Sequence, residues 1–230
     1  AASNTWNLTD SNWVEGDNKF FNGDAVTFGN AGAGTVTVSG TVSPNSISFT
    51  NDLGNDYLLV SSTGNAIAGT ATIDKSGTGT VIIEGPNTFT GKTTITGGTL
   101  AIRSDSALGA VPTDIVADQL TIDGGTLKLQ PAAPAGVALA DNRGITIGPG
   151  GATLDTTALT SSFSATISGD ISGSSLLTIF SNGDVSDTGG GFSGATQLNG
   201  FGTATGGVLI KSGVVDMFGN LGDASNIITL

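Results

Sequence analysis

Side chains able to do chemistry are scarce in this chain. It has no His and no Cys, so the usual general base and the thiol nucleophile are both missing. Carboxylate chemistry is what remains. Asp114, Asp118 and Asp123 lie close in sequence, with Arg103 and Arg143 flanking them. Paired acids, or acids with Lys or Arg, serve polysaccharide hydrolases and lyases. The plainer reading is that these are solvated loop acids, because Asp is rarely buried. That reading is preferred, and no catalytic, cofactor-binding or metal-binding residue is assigned.

Two further constellations invite a ligand. Asn51-Asp52-Leu53-Gly54-Asn55-Asp56 could offer oxygens to Ca²⁺. It has neither the EF-hand spacing nor the repeated glycine- and aspartate-rich nonapeptide of calcium-binding β-rolls, so an exposed Asn/Asp-rich turn is expected. Ser181-Asn182-Gly183-Asp184 and Asp187-Thr188-Gly189-Gly190-Gly191 are read the same way, the latter as a protruding loop. Trp6 and Trp13, the two tryptophans, both fall in the first thirteen residues. They could stack on a sugar, or they could cover the open first rung of a repeat protein, which needs such a cap. The cap is the preferred reading. Asn7-Leu8-Thr9 is a glycosylation sequon, which matters only in a eukaryotic secretory pathway.

The elements that would position these residues are strands. Thr35-Val36-Thr37-Val38, Ser46-Ile47-Ser48-Phe49, Thr94-Ile95-Thr96 and Gly144-Ile145-Thr146-Ile147 alternate polar with apolar. A period of two sends one set of side chains inward and the Thr/Ser set toward water. No apolar pattern at helical spacing persists for three turns. The best helical candidate, Pro131 to Leu139, carries two prolines and a glycine and is expected to be a loop or a single turn.

The strands recur at an interval. Gly97-Gly98-Thr99-Leu100 is followed by Gly124-Gly125-Thr126-Leu127 and Gly150-Gly151-Ala152-Thr153-Leu154, which places Leu100, Leu127 and Leu154 27 residues apart. Gly206-Gly207-Val208-Leu209 lies about two periods further on. A Gly-Gly turn followed by a strand at near-constant spacing is a solenoid signature. A β-sandwich would also have short strands, but it has no need for one turn motif to recur at one interval. Ile95, Leu100, Ile102, Leu127, Leu129 and Leu154 are expected to point inward, with the leucines in a column.

Composition agrees. There are 37 Gly among 230 residues, only 11% charged residues, and a net charge of -12. The acidic balance excludes a nucleic-acid surface, which needs clustered Lys and Arg, and an anionic membrane surface. No apolar run reaches the roughly 18 residues of a membrane helix. The absence of Cys suits export in an unfolded state. The start at Ala1-Ala2-Ser3, without Met, is expected of a mature or trimmed terminus.

Lys75-Ser76-Gly77-Thr78-Gly79-Thr80-Val81-Ile82-Ile83-Glu84-Gly85-Pro86-Asn87-Thr88-Phe89-Thr90-Gly91-Lys92-Thr93-Thr94-Ile95-Thr96-Gly97-Gly98-Thr99-Leu100 resembles the passenger-associated transport repeat of bacterial autotransporters. Ser104 to Gly109 resembles the segment that usually follows it. Thr5-Trp6, Ser11-Asn12-Trp13 and Asn22 to Phe28 resemble the start of such passengers more loosely. A degenerate copy is expected near residues 171–215, with Gly191-Phe192-Ser193-Gly194-Ala195-Thr196 replacing the Asn-Thr-Phe-Thr-Gly core. In the motif itself, Val81 and Ile83 should face inward and Phe89 should fill a corner. Gly77 and Gly79 should permit a bend that a Cβ would obstruct. Asn87 should bond its own turn or ladder with a stacked polar neighbour.

The resemblance implies an extracellular surface protein secreted across the outer membrane, whose repeat assists secretion and carries no catalytic residues. The expected fold is all-β, a right-handed parallel β-helix (β-solenoid). Residues 1–30 should form an N-terminal cap and first rung, and residues 31–230 the remaining rungs, with the repeat at 75–102. The expected function is structural: a rigid segment of a surface fibre or adhesin stalk, without cofactor. A polysaccharide-active β-helix enzyme and a lectin-like module are the alternatives. Expected partners are neighbouring rungs or subunits stacked head-to-tail, and host or matrix glycans; no membrane insertion of this segment is expected. The last residues, Asn226-Ile227-Ile228-Thr229-Leu230, end mid-strand, so further rungs or a stacked subunit are expected beyond them.

Overall fold

Alternation of period two becomes strands whose pairings, among the described residues, are all parallel. The computed structural model describes residues 4–14, 17–133, 135–159, 163–182, 195–200, 203–217 and 228–229. A parallel pair needs a long crossover between its strands. Here the crossover is the rest of a rung, so the chain winds as a β-helix.

The first face is a sheet of ten strands, from Thr5–Trp6 at one edge through Gly34–Val38, Tyr57–Ser61, Thr80–Ile83, Thr99–Ile102, Thr126–Leu129, Ala152–Asp155, Leu177–Phe180 and Val208–Ser212 to Ile228–Thr229. The second face has eight strands, among them Ala25–Phe28, Ser46–Phe49, Thr72–Lys75, Thr93–Ile95, Val116–Ile122 and Arg143–Ile147. The third face is discontinuous. Thr41–Val42 pairs with Ala66–Ile67, and a separate four-stranded ladder joins Val137–Leu139, Ala165–Ile167, Thr196–Leu198 and Val215–Met217.

Like side chains stack from rung to rung. Val81, Leu100, Leu127, Leu154 and Ile179 form one column on the first face, beside Leu59, Ile83, Ile102 and Leu129. All of these are buried, as are Ile95 on the second face and Phe89 at the corner. The expected inward set is therefore the observed one. Ten strands at about 4.8 Å spacing make the first face roughly 45 Å long.

Two expectations are corrected. The interval is not constant: it is 27 residues from Leu100 to Leu127, 19 from Ile83 to Ile102, and 31 from Ile179 to Ile210. Only the strand segments must stay in register, and the loops between faces are free to vary, since loop length adds little closure entropy. Leu209 is accordingly one residue out of phase. It pairs with Thr178, while Ile210 stands over Ile179 in the leucine column. A one-residue offset exchanges the faces of a strand. Second, Val137–Leu139 is a strand and not part of a loop, because the 165–167 strand offers it a ladder. Asp105–Leu108, for which no element was expected, is a one-turn 3-10 helix. It lies on the third face where no strand forms.

Candidate functional site

The carboxylates do not converge. Asp118 projects from the strand Val116–Ile122 and pairs with Lys92 at 2.6 Å, with both side chains about half exposed. The Lys92 hydrogen bond holds the Asp118 carboxyl below its ordinary range. Asp123, just past the same strand, accepts the Gly150 amide at 2.5 Å. Five residues of strand separate the two acids by roughly 15 Å, beyond the roughly 5–9.5 Å that glycosidase carboxylates need. Asp114 is exposed on the segment before the strand. Arg103 pairs with Glu84 at 3.2 Å. Among the described residues no cluster of acids could hold a metal ion.

The turn from Asn51 to Asp56 is stitched to its neighbours on both rungs. Asn51 is buried, which corrects the expectation of a wholly exposed turn. Its Nδ2 donates to the carbonyls of Asn55 (2.9 Å) and Thr80 (3.2 Å). Asp52 accepts from Asn30 Nδ2 on the rung below at 3.0 Å, and Asp56 accepts the Thr80 amide on the rung above at 2.7 Å. Asp184 and residues 187–191 lie outside the described residues, as do Gly191 to Gly194 of the expected degenerate copy.

Trp6 offers no ring face to a sugar. It is 1% exposed on the edge strand of the first face, opposite Val38. Its ring meets Trp13, Phe20 and Phe28 edge-on at centroid distances of 5.7, 5.3 and 5.6 Å. Phe28 in turn stacks on Phe49 at 5.2 Å. Such aromatic contacts stabilise beyond their buried area. Both indole N–H groups are buried.

The residues with unusual environments gather instead around the rung that resembles the transport repeat. Lys75 is fully buried in a column of the second face, between Phe49 below and Ile95 above. Its ammonium donates to the Gly77 carbonyl and, at 3.4 Å, to Gly97 on the next rung. Burial lowers its pKa, an effect that Asp56 and Asp52 oppose. Asn87 is buried as well and reaches both ways. Its Oδ1 accepts from the Ile67 amide (3.1 Å) and Ser61 Oγ (3.2 Å) below, and its Nδ2 donates to Ala107 (3.3 Å) above. It thus ladders across rungs, one of the two roles expected of it.

The motif glycines are close-approach positions. A Cβ on Gly77 would sit 2.1 Å from the Asn51 carbonyl oxygen, and one on Gly91 2.1 Å from that of Ala71. Neither has a positive φ, so contact with the adjoining rung, and not a bend, excludes a side chain. Gly98 adds a left-handed φ of 58°.

Gln119 and Lys75 went unrecognised in the sequence, and Arg143 was singled out only as a flank of the acids. Gln119 Nε2 donates to the Gly91 carbonyl at 2.9 Å. Arg143, 1% exposed, binds Asp105 Oδ1 through Nε at 3.0 Å and the carbonyls of Leu108 (3.0 Å) and Gly109 (3.2 Å) through its terminal nitrogens. For Lys75 a signal existed: in Thr72-Ile73-Asp74-Lys75 the period of two that buries Ile73 buries Lys75 also. Arg143 and Gln119 had none, because their partners are more than twenty residues away in sequence.

The family model of the passenger-associated-transport-repeat matches residues 73–102. The adhesin BmaC autotransporter of Brucella suis biovar 1 (strain 1330) is 37% identical over 113 residues, which make up 49% of this chain and 3% of that protein. No solved structure matches the chain significantly. The chain is a parallel β-helix that matches the transport repeat over one rung and resembles a small part of an autotransporter adhesin. Autotransporter passengers are extracellular, and this chain carries their transport repeat.

Proposed function

We propose that this chain is a rigid, non-catalytic spacer within a bacterial surface passenger, a stalk that holds other regions of a longer adhesin away from the cell. The observation that carries this reading is the first face. Ten strands share one ladder, and an apolar column runs along it from Tyr57 through Val81, Leu100, Leu127, Leu154 and Ile179 to Ile210. The scattered, separately bonded carboxylates support a structural role over glycan cleavage. The aromatic residues up to Phe28 act as the cap of the first rung, and residues 31–230 as the shaft. Its partners are the rungs that stack at either end, within the longer chain or from a second subunit head-to-tail. Host or matrix glycans are the ligand class the whole protein would meet.

Deletion of two complete rungs from the full-length protein tests this. The rod seen by electron microscopy should shorten by about 10 Å, with secretion and cell adhesion retained. Loss of adhesion by a variant that is still secreted would overturn the spacer reading. Turnover of pectin, alginate or a similar glycan, abolished by Asp118→Asn or Asp123→Asn, would overturn its non-catalytic part.

A further inference from the structure

The apolar columns leave one question open: what selects their register. On the second face, Thr72–Lys75 pairs with Thr93–Ile95 so that Ile73 meets Thr93 and Lys75 meets Ile95. On the first face, Val81 and Ile83 meet Leu100 and Ile102. A slip of two residues keeps every apolar side chain facing inward, because the period is two. Hydrophobic burial is non-directional and scales with area, so it discriminates poorly between these registers. The chain's outer faces are rich in Thr and Ser, which also tolerate a slip.

Two buried polar side chains do not tolerate it. Asn87 satisfies its amide with Ser61 and Ile67 on one side and Ala107 on the other. Lys75 places its ammonium between the turn carbonyl of Gly77 and that of Gly97. The Gly97 carbonyl belongs to the turn that enters the next strand, and any slip carries it away from Lys75. A slip would likewise strand the Asn87 amide in an apolar interior. A buried polar group without a partner costs about 1–3 kcal/mol, and a charged one more.

We propose that Lys75 and Asn87 are the register-determining residues of this solenoid: they make the slipped pairings of the repeat rung unfavourable. A buried polar residue that fixes register at some cost in stability is a known device in other folds. The inference is independent of the spacer role, since it concerns how the rungs align and not what the shaft holds up.

Cross-linking reads register directly, and the chain has no cysteine of its own to interfere. Asp74 and Thr94 are outward partners in the native pairing, so Asp74→Cys with Thr94→Cys should oxidise readily after refolding of the full chain. The offset pairs Asp74→Cys with Thr96→Cys, and Thr72→Cys with Thr94→Cys, lie on diagonals of about 8 Å and should not, because a disulfide needs Cα atoms within about 7 Å. In the Lys75→Met/Asn87→Leu background the protein should still fold, and the offset products should rise about tenfold, equivalent to roughly 1.4 kcal/mol of lost discrimination. Offset products that stay at the wild-type level in a folded double variant would overturn the proposal. If the double variant does not fold, Lys75→Met and Asn87→Leu are read singly by the same cross-links. Failure of all three to fold would also overturn it, since the two residues would then carry stability and not choice of register.

Discussion

The repeat rung and the rungs between residues 152 and 217 share an alternation of inward apolar and outward hydroxyl residues, yet they are held together differently. From Ile83 to Ile102 the chain takes 19 residues to come round, and from Ile179 to Ile210 it takes 31. In the longer rungs the third face is a true ladder, with Ala165–Ile167 between Val137–Leu139 and Thr196–Leu198. Their main-chain groups satisfy one another, and the polar residues inside are small: Thr156 Oγ1 lies 2.8 Å from Thr196 Oγ1, which is 3.1 Å from Ser181 Oγ. The short repeat rung has no third-face strand between residues 86 and 110. The amide of Ile67 and the carbonyls of Gly91, Ala107, Leu108 and Gly109 face the interior there. Main-chain bonds still join the segment to its neighbours, as from the Thr88 amide to the Ile67 carbonyl and from the Ala110 amide to the Phe89 carbonyl, and long side chains reach the groups these leave over: Asn87, Gln119 and Arg143. Buried main-chain groups must be paired by something. Where a rung is too tight to build a strand, buried polar side chains complete the pairing that the main chain leaves unfinished.

The largest effect should come from the column that joins both regions. Leu127→Asp would place a carboxylate between Leu100 and Leu154, and we expect a loss of at least about 4 kcal/mol. Urea unfolding should lose its cooperativity across the two halves. An unchanged midpoint would refute the register. Next, Arg143→Met would remove a donor from three main-chain carbonyls, those of Leu108, Gly109 and Ala110, and leave Asp105 with only the Ala140 amide. Removing one partner of a buried pair costs about 3–5 kcal/mol, and hydrogen exchange should report the loss first at Asp105 to Gly109. Thr156→Val is the matching change in the other region. It removes one hydroxyl from a cluster with alternative partners and should cost about 1 kcal/mol. Equal losses from Arg143→Met and Thr156→Val would erase the contrast between the two regions.

The smallest effect is a pH dependence. Burial raises the pKa of Asp155, but hydrogen bonds from Thr157 and Lys128 outweigh it, and the folded value lies below the ordinary one. A carboxylate whose folded pKa is depressed contributes stability above the unfolded value of about 3.9, and that contribution is lost as pH falls through the folded value. Thermal melts of the wild type should therefore steepen in their decline below about pH 4, and Asp155→Asn should flatten that part of the curve. A variant whose acid limb is superimposable on the wild type would exclude Asp155 as a contributor.

Much of the fold was legible in the residue order because a β-helix is local in a particular sense. Alternation tells which side chains of a strand face inward, and the recurrence of Gly-Gly-Thr-Leu at residues 97 and 124 tells which strands stack. The repeat at 75–102 was likewise readable from its own motif, as were the inward positions of Val81, Ile83 and Phe89. Loop lengths were not readable, since the sheet constrains strands and leaves loops free. That is why Leu209 fell one residue out of phase and why Val137–Leu139 looked like a loop.

By itself the sequence determined the class of protein, the alternation and the identity of the stacked leucines, because each of these follows from spacing along the chain. The tertiary structure alone decided which polar residues are interior. Arg143 looked like a flank of the acids at 114–123 and is buried against Asp105, Leu108 and Gly109, while Asp118 pairs with Lys92 and Asp114 is exposed. The physical reason is that a polar side chain is buried only when another rung brings unpaired main-chain groups to it, and a rung's neighbour lies some twenty to thirty residues away, where local patterns do not reach.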